Sequence, residues 1–222
     1  MDGKRNYEAV LFDLDGTVLD TYDIILASMR HTVNGLLGLQ LSDEQLTAGV
    51  GTPLEDQMTG FAGGDRTWGA QLTQAYRAHN DAIHDAGAKL FPGVTDTLQE
   101  LQRAGVRMGV VTSKRHELAA RGLALYGTDA FMEFVIGPED SAFSKPHPGP
   151  VQEGCARLGL SPAACLYVGD SPYDLQAGNA AGCHTAAATW GMFSERLLRA
   201  EEPTYVLDSF SGLVDVVLGR AG

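Results

Sequence analysis

"VLFDLDGT" (residues 10–17) is an apolar run that stops at two aspartates, a glycine and a threonine. A short apolar run closed in this way fits a buried parallel strand better than a helix. If the strand continued through them, Asp13 and Asp15 would project to one side. Two anions held together near the end of a buried strand cost free energy unless a cation lies between them or one takes a proton. The stretch therefore asks for a partner.

The same grammar returns along the chain. "GVRMGVVTS" (105–113), "EFVIG" (133–137), "AACLYVGDS" (163–171) and "CHTAAAT" (183–189) are compact apolar runs, most of them ending in small or polar residues. Helical patterns lie between them: Val94, Leu98 and Leu101 precede a stop at Gly105, and Val151, Cys155 and Leu158 precede Gly159. Strand–helix repetition from residue 106 onward implies right-handed crossovers, hence a doubly wound parallel sheet with helices on both faces. Ligands of such sheets sit beyond the carboxyl ends of the strands.

Residues 22–86 break the rhythm. They hold no strand pattern, whereas "YDIILASMRHTVNGLLG" (22–38) and "RTWGAQLTQAYRAHNDAIHDAG" (66–87) read as long amphipathic helices. The expected architecture is thus α/β: a Rossmann-like core of residues 1–18 and 88–222, and a small all-helical domain of residues 19–87 inserted after the first strand. "AKLFPGV" (88–94) marks the return. There is no internal repeat or low-complexity tract.

Composition narrows the function. A formal charge of −12 over 222 residues argues against a general affinity for nucleic acid or anionic lipid, so any phosphate chemistry must be arranged locally. No apolar stretch approaches the roughly 18 residues of a membrane span, and the polar start "MDGKRNYE" is no signal region. A cytoplasmic location is expected, as monomer or homodimer. Cys155, Cys165 and Cys183 form no CxxC pair and read as buried reduced thiols. Cys183 beside His184 would be half a metal site, but strand neighbours face opposite ways and no second pair appears.

The strand ends carry the chemistry. Asp13 ends the first run, Thr112 and Ser113 end "GVVTS", Lys145 lies in "FSKPHPG" (143–149), and Asp170 ends "LYVGD" with Asp174 a helical turn beyond. One sheet edge would gather most of them. Asp13 is the candidate in-line nucleophile on a phosphoryl group, giving an aspartyl phosphate that water hydrolyses. A magnesium ion (Mg2+), hard and oxygen-seeking, would be held by Asp13, the backbone carbonyl of Asp15 and Asp170. Lys145, Thr112 and Ser113 would hold phosphate oxygens. Asp15, crowded by other carboxylates, would carry the proton to the leaving group and later take one from water. Gly16 permits a tight turn beside the phosphate, and Thr17 would hold the loop by hydrogen bonding.

"DLDGT", "VVTSK", the Lys145–Pro146 pair and "GDSPYD", in that order, resemble the four motifs of the haloacid dehalogenase superfamily. The likeness covers the whole chain, with the helical insert resembling that superfamily's cap domain. It implies a Rossmann-like core, magnesium and an aspartyl-phosphate mechanism. Asp15 argues for phosphoryl transfer, and "DGTVLDT", "FPGV", "VVTSK" and "AYRAHN" look like the phosphoglycolate phosphatase and pyrophosphatase branch. The mutase branch carries an arginine early in the cap, and "GVGTPLEDQ" (49–57) has none.

The leading expectation is a magnesium-dependent phosphatase acting on a small phosphorylated metabolite, most like 2-phosphoglycolate. Alternatives are hydrolysis of pyrophosphate, with Arg77 and Lys89 as cations for its second phosphate, a sugar-phosphate mutase, and a non-catalytic relative that binds a phosphorylated ligand.

Blander roles stand beside several of these. Thr112 and Ser113 could cap the next helix. Ser171, Pro172 and Asp174 have the spacing of a capped helix start, so Asp174 either orients Lys145 or the metal's water shell, or only caps. Lys114 reads equally as a phosphate ligand or a solvated helix residue. Arg77, His79 and Asn80 fall on a helix whose polar face is ordinarily solvated. His31, His84 and His116 are read as non-catalytic. Gly49, Gly51 and Thr52 form a loop that could reach the site when the helical domain closes.

Overall fold

The computed structural model describes residues 5–220. The chain runs through β1 (Ala9–Phe12), β2 (Leu19–Asp20), α1 (Tyr22–Met29), a π-helical stretch (Arg30–Leu36), α2 (Asp43–Thr47), α3 (Leu54–Phe61), α4 (Arg66–Gly87) and β3 (Lys89–Leu90). It continues through α5 (Val94–Arg103), β4 (Arg107–Val111), α6 (His116–Ala124), β5 (Val135–Ile136), α7 (Gly149–Arg157) and β6 (Cys165–Gly169). The last elements are α8 (Pro172–Ala181), β7 (His184–Ala188), α9 (Glu195–Arg199), β8 (Tyr205–Leu207) and α10 (Leu213–Leu218).

Each apolar run of the sequence yields a strand, and β8 joins them. Its three partly buried residues were too brief a signal to read from the sequence. The six strands form one parallel sheet in the order β5-β4-β1-β6-β7-β8. The chain moves outward from β1 through β4 and β5, then crosses to the other side of β1 for β6, β7 and β8. That reversal leaves a crevice beyond the carboxyl ends of the central strands.

Pleating gives β1 two working faces. Val10 and Phe12 pack with Leu98 and Leu101 of α5, Leu123 of α6 and Leu213 of α10. Ala9 and Leu11 pack on the opposite side with Val151 and Cys155 of α7 and Ala177 of α8. Being apolar on both faces fixes the position of β1, and with it the loop that follows.

Between β2 and β3 the regular elements are all helices, joined by short loops, one of which carries a bridge between Val50 and Thr52. The helix predicted over 66–87 forms as α4, opened by Asp65, whose carboxylate accepts from the Thr67 and Trp68 N–H groups. The helix predicted over 22–38 divides into α1 and the π-helical stretch, which ends near the point where Asn34 binds both the N–H and the carbonyl of Leu41. Ile25, Met29, Val33, Leu46, Met58 and Leu72 supply this region with its own apolar cluster.

β2 and β3 pair antiparallel, Leu19 with Leu90 and Asp20 with Lys89, so the helical excursion leaves and returns through adjacent strands. No helix among the described residues is long and apolar enough to cross a membrane. The three cysteines are free and buried, with Cys155 Sγ 3.6 Å from Cys183 Sγ. His184, on β7, is exposed and packs edge-on against Tyr7 rather than joining a metal site.

Candidate active site

β1 ends at Phe12, so Asp13 and Asp15 lie in the following loop and not on a strand face. This separates them. Asp13 is buried and turns to Lys145, whose Nζ donates to Asp13 Oδ1 at 2.8 Å and to Asp174 Oδ1 at 2.5 Å. Asp15 turns the other way: Lys114 Nζ donates to both its oxygens at 2.9 Å, and the Thr21 hydroxyl donates to Oδ1 at 2.8 Å. The expectation that other carboxylates crowd Asp15 gives way to an ion pair, and Lys114 is neither solvated nor free.

Asp174 combines the two roles that the sequence set side by side. Its Oδ2 accepts from Ser171 N at 3.1 Å and Ser171 Oγ at 2.5 Å, closing a capping box on α8. Its Oδ1 takes the Lys145 ammonium, with the Tyr167 hydroxyl 3.1 Å away. Asp170 is held by neutral donors alone, Thr17 Oγ1 at 3.0 Å on Oδ1 and Met192 N at 2.8 Å on Oδ2. Thr17 thus acts on Asp170 rather than on its own loop.

Thr112 and Ser113 do not cap α6, which begins at His116 with Arg115 in the capping position. Thr112 Oγ1 instead accepts from Lys114 N at 3.1 Å. Ser113 Oγ donates to the Gly51 carbonyl at 2.7 Å, tying the 50–52 loop to the sheet edge.

A cavity of about 450 Å3 opens above these groups. Asp13, Asp15, Thr112, Lys145 and Asp170 form its floor. The helical region forms its roof, contributing Gly51, Thr52, Arg77 and Asn80 among others. His79 points elsewhere, 3.1 Å from Ser28 Oγ and stacked on His31. Lys89 is exposed on β3 and does not line the cavity.

Burial, reinforced by Asp174 and opposed by Lys145, raises the Asp13 carboxyl to about 7. Burial and the Asp13 and Asp174 charges hold the Asp170 carboxyl well above the usual carboxylate range. Burial alone would depress the Lys145 ammonium, but its two carboxylate partners outweigh that and raise it. Three buried acids facing one cation leave negative charge uncompensated.

The family model of the haloacid dehalogenase-like hydrolases matches residues 10–188. The chain belongs to this family. The hydrolase is 36% identical over 212 residues to the pyrophosphatase PpaX of Anoxybacillus flavithermus (strain DSM 21510 / WK1), covering 96% of this chain and 97% of that protein. It is also 36% identical over 216 residues to the pyrophosphatase PpaX of Bacillus velezensis (strain DSM 23117 / BGSC 10A6 / LMG 26770 / FZB42), covering 97% and 98%. A solved Bacteroides fragilis structure, named among the haloacid dehalogenase-like hydrolases, superposes with a TM-score of 0.88 at 26% identity, covering 93% of this chain and 99% of its own. The hydrolase is a phosphatase of this family.

The donor set suits a hard cation. Asp13, Asp170 and Asp174 each present an oxygen within 4.8 Å of the others. Within that triad, Asp174 is already filled by Lys145, Ser171 and Tyr167, so the open lone pairs belong to Asp13 and Asp170.

Sequence reasoning missed the loop after β7. Met192 N holds Asp170, and Trp190 Nε1 donates to the Thr17 carbonyl at 3.0 Å. A Cβ at Gly191 would lie 2.2 Å from Asp170 Cβ, so only glycine admits that approach. Gly16 answers from the other side: its φ is +86° and a Cβ would fall 2.2 Å from Asp170 Oδ2. The signal available was the "TWG" turn (189–191) directly beyond an apolar strand.

Proposed function

We propose that this hydrolase releases phosphate from a small phosphorylated metabolite, with Asp13 as nucleophile and magnesium as cofactor. The observation that carries the reading is Lys145 bridging Asp13 and Asp174 while Asp170 stands beside them without a cation.

Asp13 attacks phosphorus in line. The bond to the leaving oxygen breaks as the Asp13 ester forms, and Asp15 gives that oxygen its proton. Asp15 then takes a proton from water, whose oxygen displaces Asp13 and frees phosphate. Asp13, Asp170 and the Asp15 carbonyl would hold magnesium, which when bound would supply charge neutralisation at the phosphoryl group. Lys145 and Thr112 hold the remaining phosphate oxygens, Gly16 and Thr17 shape the Asp170 side of the site, and Lys114 orients Asp15. The Ser113 hydroxyl, engaged with Gly51, serves the loop above in place of the phosphate. Residues 19–87 act as a cap on the core of 1–18 and 88–222, excluding water during the reaction.

2-Phosphoglycolate is the substrate to which the motif resemblance points. Pyrophosphate is the second reading, favoured by the names of the relatives at 36% identity. Phosphate release measured with magnesium and with chelator, on wild type and Asp13→Asn, tests the chemistry. Magnesium-dependent release lost in the variant is expected; release that survives Asp13→Asn overturns it.

A further inference from the structure

Four consecutive residues beyond β7 go to different parts of the molecule. The Trp190 ring packs against the apolar cluster of the sheet, edge-on to Phe210 with ring centres 5.9 Å apart, and its Nε1 donates to the Thr17 carbonyl. Gly191 lies directly on Asp170, where a Cβ would collide with the carboxylate side chain. Met192 N donates to Asp170 Oδ2 at 2.8 Å. Phe193 packs with Leu175, Ala187 and Leu198 and meets Tyr173 edge-on.

The Met192 side chain leaves the sheet domain. It packs against the apolar cluster of Ile25, Met29, Leu46, Met58 and Leu72, which is the core of the helical region. Every other side chain packed in that cluster lies between Tyr22 and Tyr76, so among the described residues Met192 is its single member from outside the helices.

One residue therefore belongs to two structures. Its backbone N–H aims Asp170, and its side chain is placed by the helices above. Asp170 is buried and has two hydrogen-bond donors among the described residues, Thr17 Oγ1 and Met192 N, so half of its support comes through this residue. Trp190 and Phe193 are anchored in the sheet domain on either side. A displaced Met192 side chain then turns its own backbone instead of sliding the whole loop, and a hydrogen bond weakens steeply as its angle opens.

We infer that Met192 is a positioning residue through which the seating of the helical region sets the magnesium affinity of Asp170. The inference rests on the magnesium reading above. Coupling of this kind is reciprocal: magnesium held by Asp170 favours the seated helices by the same factor by which seated helices favour magnesium.

The test is magnesium binding by calorimetry, without substrate or turnover. Partners of metal ligands are commonly worth about 10- to 100-fold in metal affinity. Met192→Ala keeps the N–H and removes only its anchorage, so it is expected to weaken magnesium binding by about tenfold, at the lower end of that range. Met192→Leu keeps an apolar side chain of similar volume and is expected to stay within about twofold of wild type. The roof is loosened independently by Ser113→Ala with Arg121→Ala, which removes the side-chain ties to the Gly51 carbonyl, Asp85 and the Asp81 carbonyl. That pair is expected to weaken magnesium several-fold in the wild-type background and to add nothing in Met192→Ala. Unchanged affinity in Met192→Ala overturns the inference, and so does a Met192→Leu variant as weak as Met192→Ala. A loosened roof that leaves magnesium affinity unchanged, or weakens it equally in both backgrounds, shows that the helices do not act through Met192 and overturns it too. Wild-type protein that binds no magnesium overturns the magnesium reading, and the inference with it.

Discussion

Floor and roof of the cavity are built on different principles. The floor draws Asp13, Thr112, Lys145 and Asp170 from ends of separate strands and loops, each side chain buried and most held by named donors. The roof is the polar edge of amphipathic helices, tied down by the Ser113–Gly51 hydrogen bond and by the pairs Arg115–Asp81 and Arg121–Asp85. A parallel sheet fixes the floor to within the spacing of its strands; helices packed on their own apolar cluster fix the roof only as far as those few ties do. On the proposed function, the floor sets the reaction and the roof is left to set the leaving group.

The largest effect expected on this division is at Asp13, the proposed nucleophile. Asp13→Asn should lower turnover by roughly 10^4-fold or more, while circular dichroism shows the fold retained. Near-native turnover would break the assignment of the floor.

Gly16→Ala probes the same floor through the backbone. It should cost about 1–3 kcal/mol in urea unfolding, from strain at positive φ and collision with Asp170, and should weaken magnesium affinity by calorimetry. Unchanged affinity would show that Asp170 tolerates displacement.

On the roof, Arg115→Ala and Asp81→Ala remove a half-exposed pair. Each should cost about 1 kcal/mol or less and change kcat/KM by a few-fold, with the double variant no worse than either alone. Additive losses would mean that the two residues act separately.

The smallest effect lies at the seam. His84 on α4 is fully buried, and burial lowers its imidazole below 6.5 despite the Asp85 carboxylate at 3.0 Å. Folded protein thus binds this proton less readily than unfolded chain. Its contribution to stability is complete above pH 6.5 and is lost as pH falls through the lower folded value. Melting temperature should fall on acidification more steeply in wild type than in His84→Gln.

The floor was legible in sequence because strand ends announce themselves: an apolar run, then Asp13, Thr112 or Asp170. Lys145 was legible only through its company. The donors on Asp170 were not all visible, since Met192 acts through a backbone N–H, which any residue carries. Asp15 was placed among acids because strand alternation was extended one turn too far; β1 stops at Phe12. The roof resisted for a different reason. His79 and Asn80 are neighbours on α4, yet one stacks on His31 and the other opens to the cavity, and helical periodicity does not separate two adjacent polar residues.

The pairing of Leu19 with Leu90 and Asp20 with Lys89 bears on how such a molecule varies. Because the excursion closes on itself within a two-strand neck, its length is felt there and not in the sheet, and loop closure costs only about 0.6 kcal/mol for each doubling. A span of different shape grafted between Asp20 and Lys89 is expected to leave β1 in register with β4 and β6, at the cost of the ties that Gly51, Asp81 and Asp85 make to the core. Such an exchange would change what lies above the cavity while leaving Asp13, the proposed nucleophile, where β1 puts it.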